Sequence, residues 1–402
     1  MEVNQDQEEH VLPENLENSI KSIADKEHFL RYEIACKNIS PKGGSYMGIL
    51  YQIDIKGKTT EGDKEINIFV KNKVENDELK VYSVSNVFSR EMFTYKEIFK
   101  LLQELQDEAN IPDKERFKLV KSYEETNSKS IILENLAKKG FKVYDRMEPM
   151  SLEYAELCIQ QLAKFHALSI VIQEKRPNFF NDKLVSLNQP FVFEEDWYGF
   201  VSNMSNYSIS CLDPEIQKKF GEKILKKVDV YPKYMTDVTG FKTLCHGDYK
   251  HNNIMHYHLL CYYFQDGKLL EVISIDFQIL HYGCPVLDFL YFIFNGTDQE
   301  FRRNHLSNLK NLYYGSMKEF VEYFKMDIGK IFPEAEFERV FKDKLDFGLM
   351  INVFYVPFLF AVENDAPDIT NQSLSTLSFK VDNRFTDRFR GVVDDFIKWG
   401  YL

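Results

Sequence analysis

Apolar residues recur along this chain with two different periods, and the switch between them divides it in two. Residues 1–35 read as a polar tail followed by helical spacing at Leu16, Ile20 and Ile23, then Phe29 and Leu30. From Tyr46 the period shortens. Met47-Gly48-Ile49-Leu50-Tyr51-Gln52-Ile53-Asp54-Ile55 predicts a strand, and a turn-rich stretch follows from Lys56 to Lys64. Ile66-Asn67-Ile68-Phe69-Val70-Lys71 alternates before turning apolar, as a strand does. Phe88, Met92, Tyr95, Ile98, Phe99 and Leu102 return to helical spacing and predict a helix over 87–110. Strands around 117–123 and 130–134 complete a small β-rich lobe. Beyond Leu136 the pattern is predominantly helical, apart from short strands around 243–277. The expectation is an α+β protein with an N-terminal lobe at 1–135 and a helical lobe at 136–402, joined by a hinge near 134–140.

Composition narrows the function. The 402 residues fit one bilobal unit, and 44% hydrophobic with 28% charged content is ordinary for a globular protein. A net charge of −12 disfavours nucleic acid, whose affinity comes from Lys and Arg neutralising phosphates. Six cysteines (36, 158, 211, 245, 261 and 284) form no CxxC pair, and the acidic start lacks a signal peptide's regions, so reduced thiols and a cytoplasmic protein are expected. The longest apolar run, about 348–362, is interrupted by Asn352 and Pro357 and falls short of the ~20 residues of a membrane span. The chain's 34 Phe and 23 Tyr suit an aromatic core and are compatible with a lipophilic ligand.

The candidate chemistry lies in His246-Gly247-Asp248-Tyr249-Lys250-His251-Asn252-Asn253 and Ile273-Ser274-Ile275-Asp276-Phe277. Asp248 is followed five residues later by Asn253, and 28 residues later by Asp276. Phosphoryl transfer needs such a set: one carboxylate to orient a hydroxyl, and an amide plus a second carboxylate to hold Mg²⁺ against phosphates. Gly247 stands where protein kinases carry the arginine that meets a phosphorylated activation loop, which points to a small-molecule kinase. Lys71 ends a strand as the phosphate-binding lysine of kinases does, and Glu91 in the following helix is its natural partner, with Lys73 and Glu97 as alternatives. Gly43-Gly44-Ser45 precede that strand by one hairpin, where Gly44 and Ser45 would offer backbone amides or a hydroxyl to phosphates. Glu134 and Leu136 cross the lobe boundary where adenine would meet backbone groups.

These residues also resemble a family. Ile132-Leu133-Glu134-Asn135-Leu136 with Gly140-Phe141, Leu162-Ala163-Lys164-Phe165-His166-Ala167, Cys245-His246-Gly247-Asp248, Asn253-Ile254-Met255, Ile275-Asp276-Phe277-Gln278, Pro285 and Asp288-Phe289-Leu290 are similar to the ecdysteroid-kinase-like family, relatives of choline kinases and aminoglycoside phosphotransferases. The resemblance runs over about 40–360. It implies a protein-kinase-like bilobal fold and phosphorylation of a small-molecule hydroxyl with ATP and Mg²⁺, ecdysteroids and xenobiotics being the acceptors to expect. Asp248 would be catalytic, Asn253 and Asp276 the magnesium ligands, and Lys71 with Glu91 the phosphate-binding pair. Two positions depart from the family: Asn135 replaces an aspartate at the hinge, and Lys250 stands where a tryptophan is common. Lys250 could reach the γ-phosphate, as the matching lysine does in protein kinases, or lie on the surface. Asp288 is expected to be structural, either capping its helix or accepting from the catalytic-loop backbone. His166 and His246 are expected to brace rather than move protons.

Three rivals remain at this point. Cys245, His246, His251, His256, His258 and Cys261 raise a zinc site, against which the spacing lacks paired ligands. A kinase fold that binds a ligand without turnover would most readily have lost Asp248, Asn253 or Asp276. A choline-, ethanolamine- or aminoglycoside-type acceptor would want an acidic or aromatic cage, for which Glu194, Glu195, Trp197 and Tyr198 are candidates. For a lipophilic acceptor the candidate region is 180–240 with 345–365, dense in Phe191, Phe193, Trp197, Tyr198, Phe354, Tyr355, Phe358 and Phe360.

Overall fold

A four-stranded antiparallel sheet and one amphipathic helix form the N-terminal layer of this computed structural model, which describes residues 12–40, 48–74, 83–237, 239–259, 268–362 and 374–402. Leu16, Ile20, Ile23 and Ala24 make one stripe of the helix Glu14–Lys26. They pack on Ile53, Ile55, Ile66, Ile68, Val70 and Ile132 of the sheet. Each fully buried side chain of Leu or Ile size contributes about 2 kcal/mol here. The strands β1 (Arg31–Asn38), β2 (Ile49–Thr59), β3 (Gly62–Asn72) and β4 (Ser130–Glu134) lie in the order β1-β2-β3-β4. Strand periodicity decides what happens to Lys71. Ile68 and Val70 point into the helix-covered core, so Phe69 and Lys71 face the opposite side, where the rest of the chain lies.

The stretch Lys56–Lys64, expected to be turn-rich, is mostly strand, since β2 runs to Thr59 and β3 starts at Gly62, and two further elements differ from the sequence expectation. Arg31–Asn38, which begins within the 1–35 stretch expected to be tail and helix, is the edge strand β1, and Cys36 is its only buried residue. An edge strand with one buried side chain carries almost no alternating signal. Conversely, 117–123 is not a regular strand. It touches β4 through an isolated Ser122–Leu133 bridge, with Tyr123 N–H donating to Ile132 O at 2.9 Å and Glu134 N–H to Lys121 O at 2.9 Å.

The helix expected over 87–110 runs from Val84 to Glu108, begins on a Ser83 cap and contains one π-helical turn, Thr94–Ile98. Single π turns inside helices often sit at functional positions. Here the turn begins three residues after Glu91 and contains Tyr95, both of which reach the site described below. Its apolar face joins the large core built on the helices Leu152–Lys175, Pro285–Gly296, Gln299–Glu322 and Phe347–Phe354. Two small antiparallel sheets are set in this helical part. One pairs β5 (Lys142–Val143), β7 (Ile254–Leu259) and β8 (Lys268–Ser274), and the other pairs β6 (Thr243–Cys245) with β9 (His281–Gly283). The segment 246–253 is the link from β6 to β7, and Asp276 follows β8. The five described cysteines are free thiols. Among the described residues no helix is long and apolar enough to cross a membrane.

Candidate active site

The turn after β6 is shaped by Gly247, at φ 80°. A Cβ there would stand 2.6 Å from the Ile279 carbonyl oxygen, so the position excludes any side chain, an arginine included. Asp288, in the first turn of its helix, holds this turn from below. It accepts from His246 N–H at 2.6 Å, from Gly247 N–H at 2.9 Å and contacts His166 Nε2 at 3.3 Å. Burial pushes the Asp288 carboxyl up, but the His166 hydrogen bond and the nearby imidazoles overcome this and hold it below its ordinary range. Asp288 therefore braces the loop backbone. His246 is a second brace. Its Nδ1 accepts from Asp248 N–H at 3.3 Å and its Nε2 donates to Ile275 O at 3.0 Å. Burial lowers its pKa, in keeping with the neutral tautomer these two bonds require. We expect Gly247→Ala to lower the thermal midpoint more than Gly240→Ala. Gly240 also has positive φ, 76°, but nothing lies within 4 Å of its missing Cβ. Differential scanning fluorimetry of the two variants separates the clash from the backbone cost.

Asp248 is buried, and four side-chain donors surround its carboxylate. Lys250 Nζ at 2.7 Å and Asn253 Nδ2 at 2.9 Å bond Oδ2. Tyr291 OH at 2.7 Å and Tyr355 OH at 3.4 Å bond Oδ1. Asn253 Nδ2 also donates to the Asp248 carbonyl at 3.1 Å. Because both neighbours of that amide nitrogen are acceptors, the orientation of the carboxamide is fixed. Lys250 is thus no surface lysine: its side chain is 12% exposed, and Nζ also donates to Tyr355 OH at 3.0 Å. Burial opposes its charge, but Asp248 and then Tyr355 raise its pKa above the ordinary lysine value.

Lys71 and Glu91 are brought together, with Nζ 2.6 Å from Oε2. The ammonium also donates to Asp276 Oδ1 at 3.1 Å and Gln278 Oε1 at 3.1 Å, so its three protons are all used. Burial disfavours its charge, but Asp276 and then Glu91 raise its pKa. Burial also pushes Glu91 upward, to about 7, against the pull of Lys71. Asp276 has φ 67°, an uncommon conformation for a residue with a side chain. Its N–H donates to Tyr95 OH at 3.0 Å, and the Phe277 ring is fully buried against Tyr95, Phe99, Phe165 and His246. Lys71 outweighs burial and keeps the Asp276 carboxyl below its ordinary pKa. The two acidic segments are tied together by Ile275 N–H donating to Asn253 O at 3.0 Å and by the His246 bridge.

These donors suit a divalent ion. Asp276 spends one oxygen on Lys71, and its other oxygen has no hydrogen-bond or ion-pair partner among the described residues. That oxygen and the Asn253 carboxamide oxygen are both hard donors, the kind Mg²⁺ accepts beside phosphates.

The remaining candidates fall elsewhere. Gly44 and Ser45 lie outside the described residues, as does Cys261. Glu134 pairs with Lys139 at 2.6 Å, and Leu136 is buried at the start of a short 3₁₀ turn. The amides of Glu134 and Asn135 are engaged by Lys121 O and Asn67 O. Lys73 bonds Ser85 and Glu97 pairs with Lys183, so neither enters the site. Among the described residues one group has metal-ligand proximity, His166, Cys245 and Asp288, and His251 and His256 are not in it. Its carboxylate is occupied by the loop amides. Trp197 is buried, stacked on Tyr231 at 5.7 Å and edge-on to Phe354 at 5.9 Å, while Tyr198 is exposed. Tyr95, Gln278 and Tyr291 carry no signal as site residues in the sequence, and Tyr355 only that of an aromatic wall, because each meets its partner from a distant segment.

Choline kinase LicA from Streptococcus pneumoniae is 15% identical, with 83% of this chain and 98% of that chain covered at a TM-score of 0.34. An ethanolamine kinase from Plasmodium vivax is 11% identical over 92% and 83%, TM-score 0.37. A microcompartment-associated aminopropanol kinase is 10% identical over 95% and 98%, TM-score 0.38. No curated protein matches the sequence. Residues 42–326, which include every side chain bonded to Asp276 and Lys71, match the ecdysteroid kinase-like family, and the chain belongs to that family of small-molecule kinases.

Proposed function

We propose that this enzyme transfers the γ-phosphoryl group of ATP to a hydroxyl of a neutral, lipophilic alcohol of the ecdysteroid or xenobiotic kind. The observation that carries the proposal is the single hydrogen-bonded set joining Asp248 and Asn253, through His246 and Ile275, to Asp276 and Lys71. Asp248 orients the acceptor hydroxyl and takes its proton as the oxygen–phosphorus bond forms. Lys71, held by Glu91, neutralises the nucleotide phosphates after exchanging one of its present contacts for a phosphate oxygen. Gln278 is the neutral partner and the one released at least cost. Asn253 and Asp276 would hold Mg²⁺, which supplies positive charge at the β- and γ-phosphates when bound. The chain divides into lobes at 135/136, where the Leu136 amide and the Glu134 carbonyl would meet adenine.

Two features support a neutral acceptor. Lys250 places an ammonium beside Asp248, an unfavourable neighbour for a cationic alcohol. Tyr355 bonds the carboxylate and the Asp248 charge acts on the Tyr231 hydroxyl, whose ring packs on Trp197 and Phe354. Much of the aromatic density noted in the sequence is packed into the core, Phe354 and Phe360 being 4% and 0% exposed, so the apolar wall offered to a ligand is smaller than the sequence suggests. Purified protein incubated with γ-labelled ATP, Mg²⁺ and a panel of steroid, phenolic and amino-alcohol acceptors tests this. Label on steroid or phenolic hydroxyls, lost on chelation and restored by Mg²⁺, is expected. Label confined to amino alcohols would replace the acceptor class, and absence of both transfer and nucleotide binding would end the kinase assignment.

A further inference from the structure

A carboxylate has about four lone-pair positions, and in Asp248 all of them are engaged by the protein. An acceptor hydroxyl cannot reach this carboxylate until one donor leaves, and the donors differ sharply in how firmly they are held. Lys250 and Asn253 sit on the same short loop as Asp248. Tyr291 is buried within the helix Pro285–Gly296, every residue of which is buried, and its hydroxyl is 2.7 Å from Oδ1. Tyr355 is different on each count. Its hydroxyl is 3.4 Å from Oδ1, long for an O–H···O bond. It is half-buried, and it occupies the break between the helices Phe347–Phe354 and Val356–Leu359, two residues before Pro357. Its oxygen also accepts from Lys250 Nζ at 3.0 Å, which holds the hydroxyl nearby when it leaves Oδ1, and the freed O–H can then donate to the incoming alcohol oxygen.

Resting on the kinase function proposed above, we propose that the Tyr355 hydroxyl is a stand-in for the acceptor oxygen, occupying its place on Asp248 until an alcohol displaces it and keeping water out meanwhile. Tyr355 is thus a positioning residue that suppresses wasteful hydrolysis. In the wasteful reaction a water oxygen bonds the γ-phosphorus, the bond from that phosphorus to the β–γ bridging oxygen breaks, ADP leaves, and the water proton passes to Asp248. In the productive reaction the alcohol oxygen takes the water's part and its proton follows the same route. A phenol hydroxyl on Oδ1 blocks the first and, being weakly held, yields to an acceptor anchored by its apolar body.

The test needs no knowledge of the acceptor. Tyr355→Phe keeps the ring, which lies 5.5 Å from that of Tyr291 and 5.7 Å from Lys250 Nζ, and removes only the hydroxyl. With Mg·ATP and no alcohol, phosphate release by Tyr355→Phe should exceed that of the wild type by about fivefold or more, because a water now meets a general base. Nucleotide affinity by calorimetry should be unchanged, since Tyr355 contacts none of Lys71, Asn253 or Asp276. The gain should vanish in the double variant with Asp248→Asn. Tyr291→Phe should instead lower hydrolysis, because Asp248 loses the donor that fixes Oδ1. Release at or below the wild-type rate in a Tyr355→Phe protein that binds Mg·ATP normally overturns the inference and leaves the kinase assignment standing. Failure of the wild type to bind Mg·ATP overturns both.

Discussion

Asp248→Asn is expected to bind Mg·ATP with near wild-type affinity while phosphoryl transfer falls by about 10³-fold or more, at the upper end of what a positioned general base contributes. The carboxamide is isosteric but cannot take the proton. It also turns an NH₂ toward donors, since both oxygens of Asp248 now accept from Lys250, Asn253, Tyr291 and Tyr355. Lys250 and Asn253 can only donate and so keep the amide oxygen, and the NH₂ turns to the Tyr291 and Tyr355 hydroxyls, so turnover falls through a donor placed where the acceptor hydroxyl needs an oxygen as well as through the missing base. Single-turnover transfer beside calorimetric nucleotide binding separates the effects. Unchanged turnover would remove Asp248 from its role. Loss of nucleotide binding would show that the substitution had collapsed the loop.

The second large effect is at Lys71. Lys71→Met removes the cation that, among the described residues, is bonded to both Glu91 and Asp276, leaving two acidic groups facing a site that burial makes hostile to charge. Breaking a buried pair from one side costs about 3–5 kcal/mol, because the survivor is left uncompensated. Glu91, already pushed up to about 7 by burial, then takes a proton rather than remain ionised. Denaturant unfolding should show the loss. The double variant Lys71→Met/Glu91→Leu should regain most of that stability, since no uncompensated buried charge remains at 91. It should not regain nucleotide affinity, since the phosphates still lack their counter-charge. Additive destabilisation by the two substitutions would mean that the pair is not coupled as its 2.6 Å separation demands.

Asn253 and the tyrosines mark the two extremes of what a sequence can display of such a site. Asn253 lies five positions from Asp248 because one short loop must present both, and a loop that short writes its chemistry as spacing. Lys71 is legible for a similar reason: the strand alternation that buries Ile68 and Val70 under the N-terminal helix sends it to the other face, toward Glu91 and Asp276. β1 is not legible, since one buried residue gives no pattern. The tyrosines are hidden by distance. Tyr95 reaches Asp276 across 181 positions and Tyr355 reaches Asp248 across 107, and each reads in the sequence as one more aromatic among many. Gln278 stands next but one to Asp276, yet its bond to Lys71 crosses 207 positions.

By itself, then, the sequence determined the 246–253 loop proposed as catalytic, the carboxylate after β8 proposed as a metal ligand, the lysine strand and the α+β architecture. In each case the requirement is local, set by turn geometry, strand period or helix period. The tertiary structure alone decided what each charged group is bonded to. Which of the many Tyr hydroxyls meet a carboxylate, which acceptors orient the Asn253 amide and why Gly247 admits no side chain follow from packing between segments far apart in the chain, and close-packed contacts of that kind leave no periodic trace.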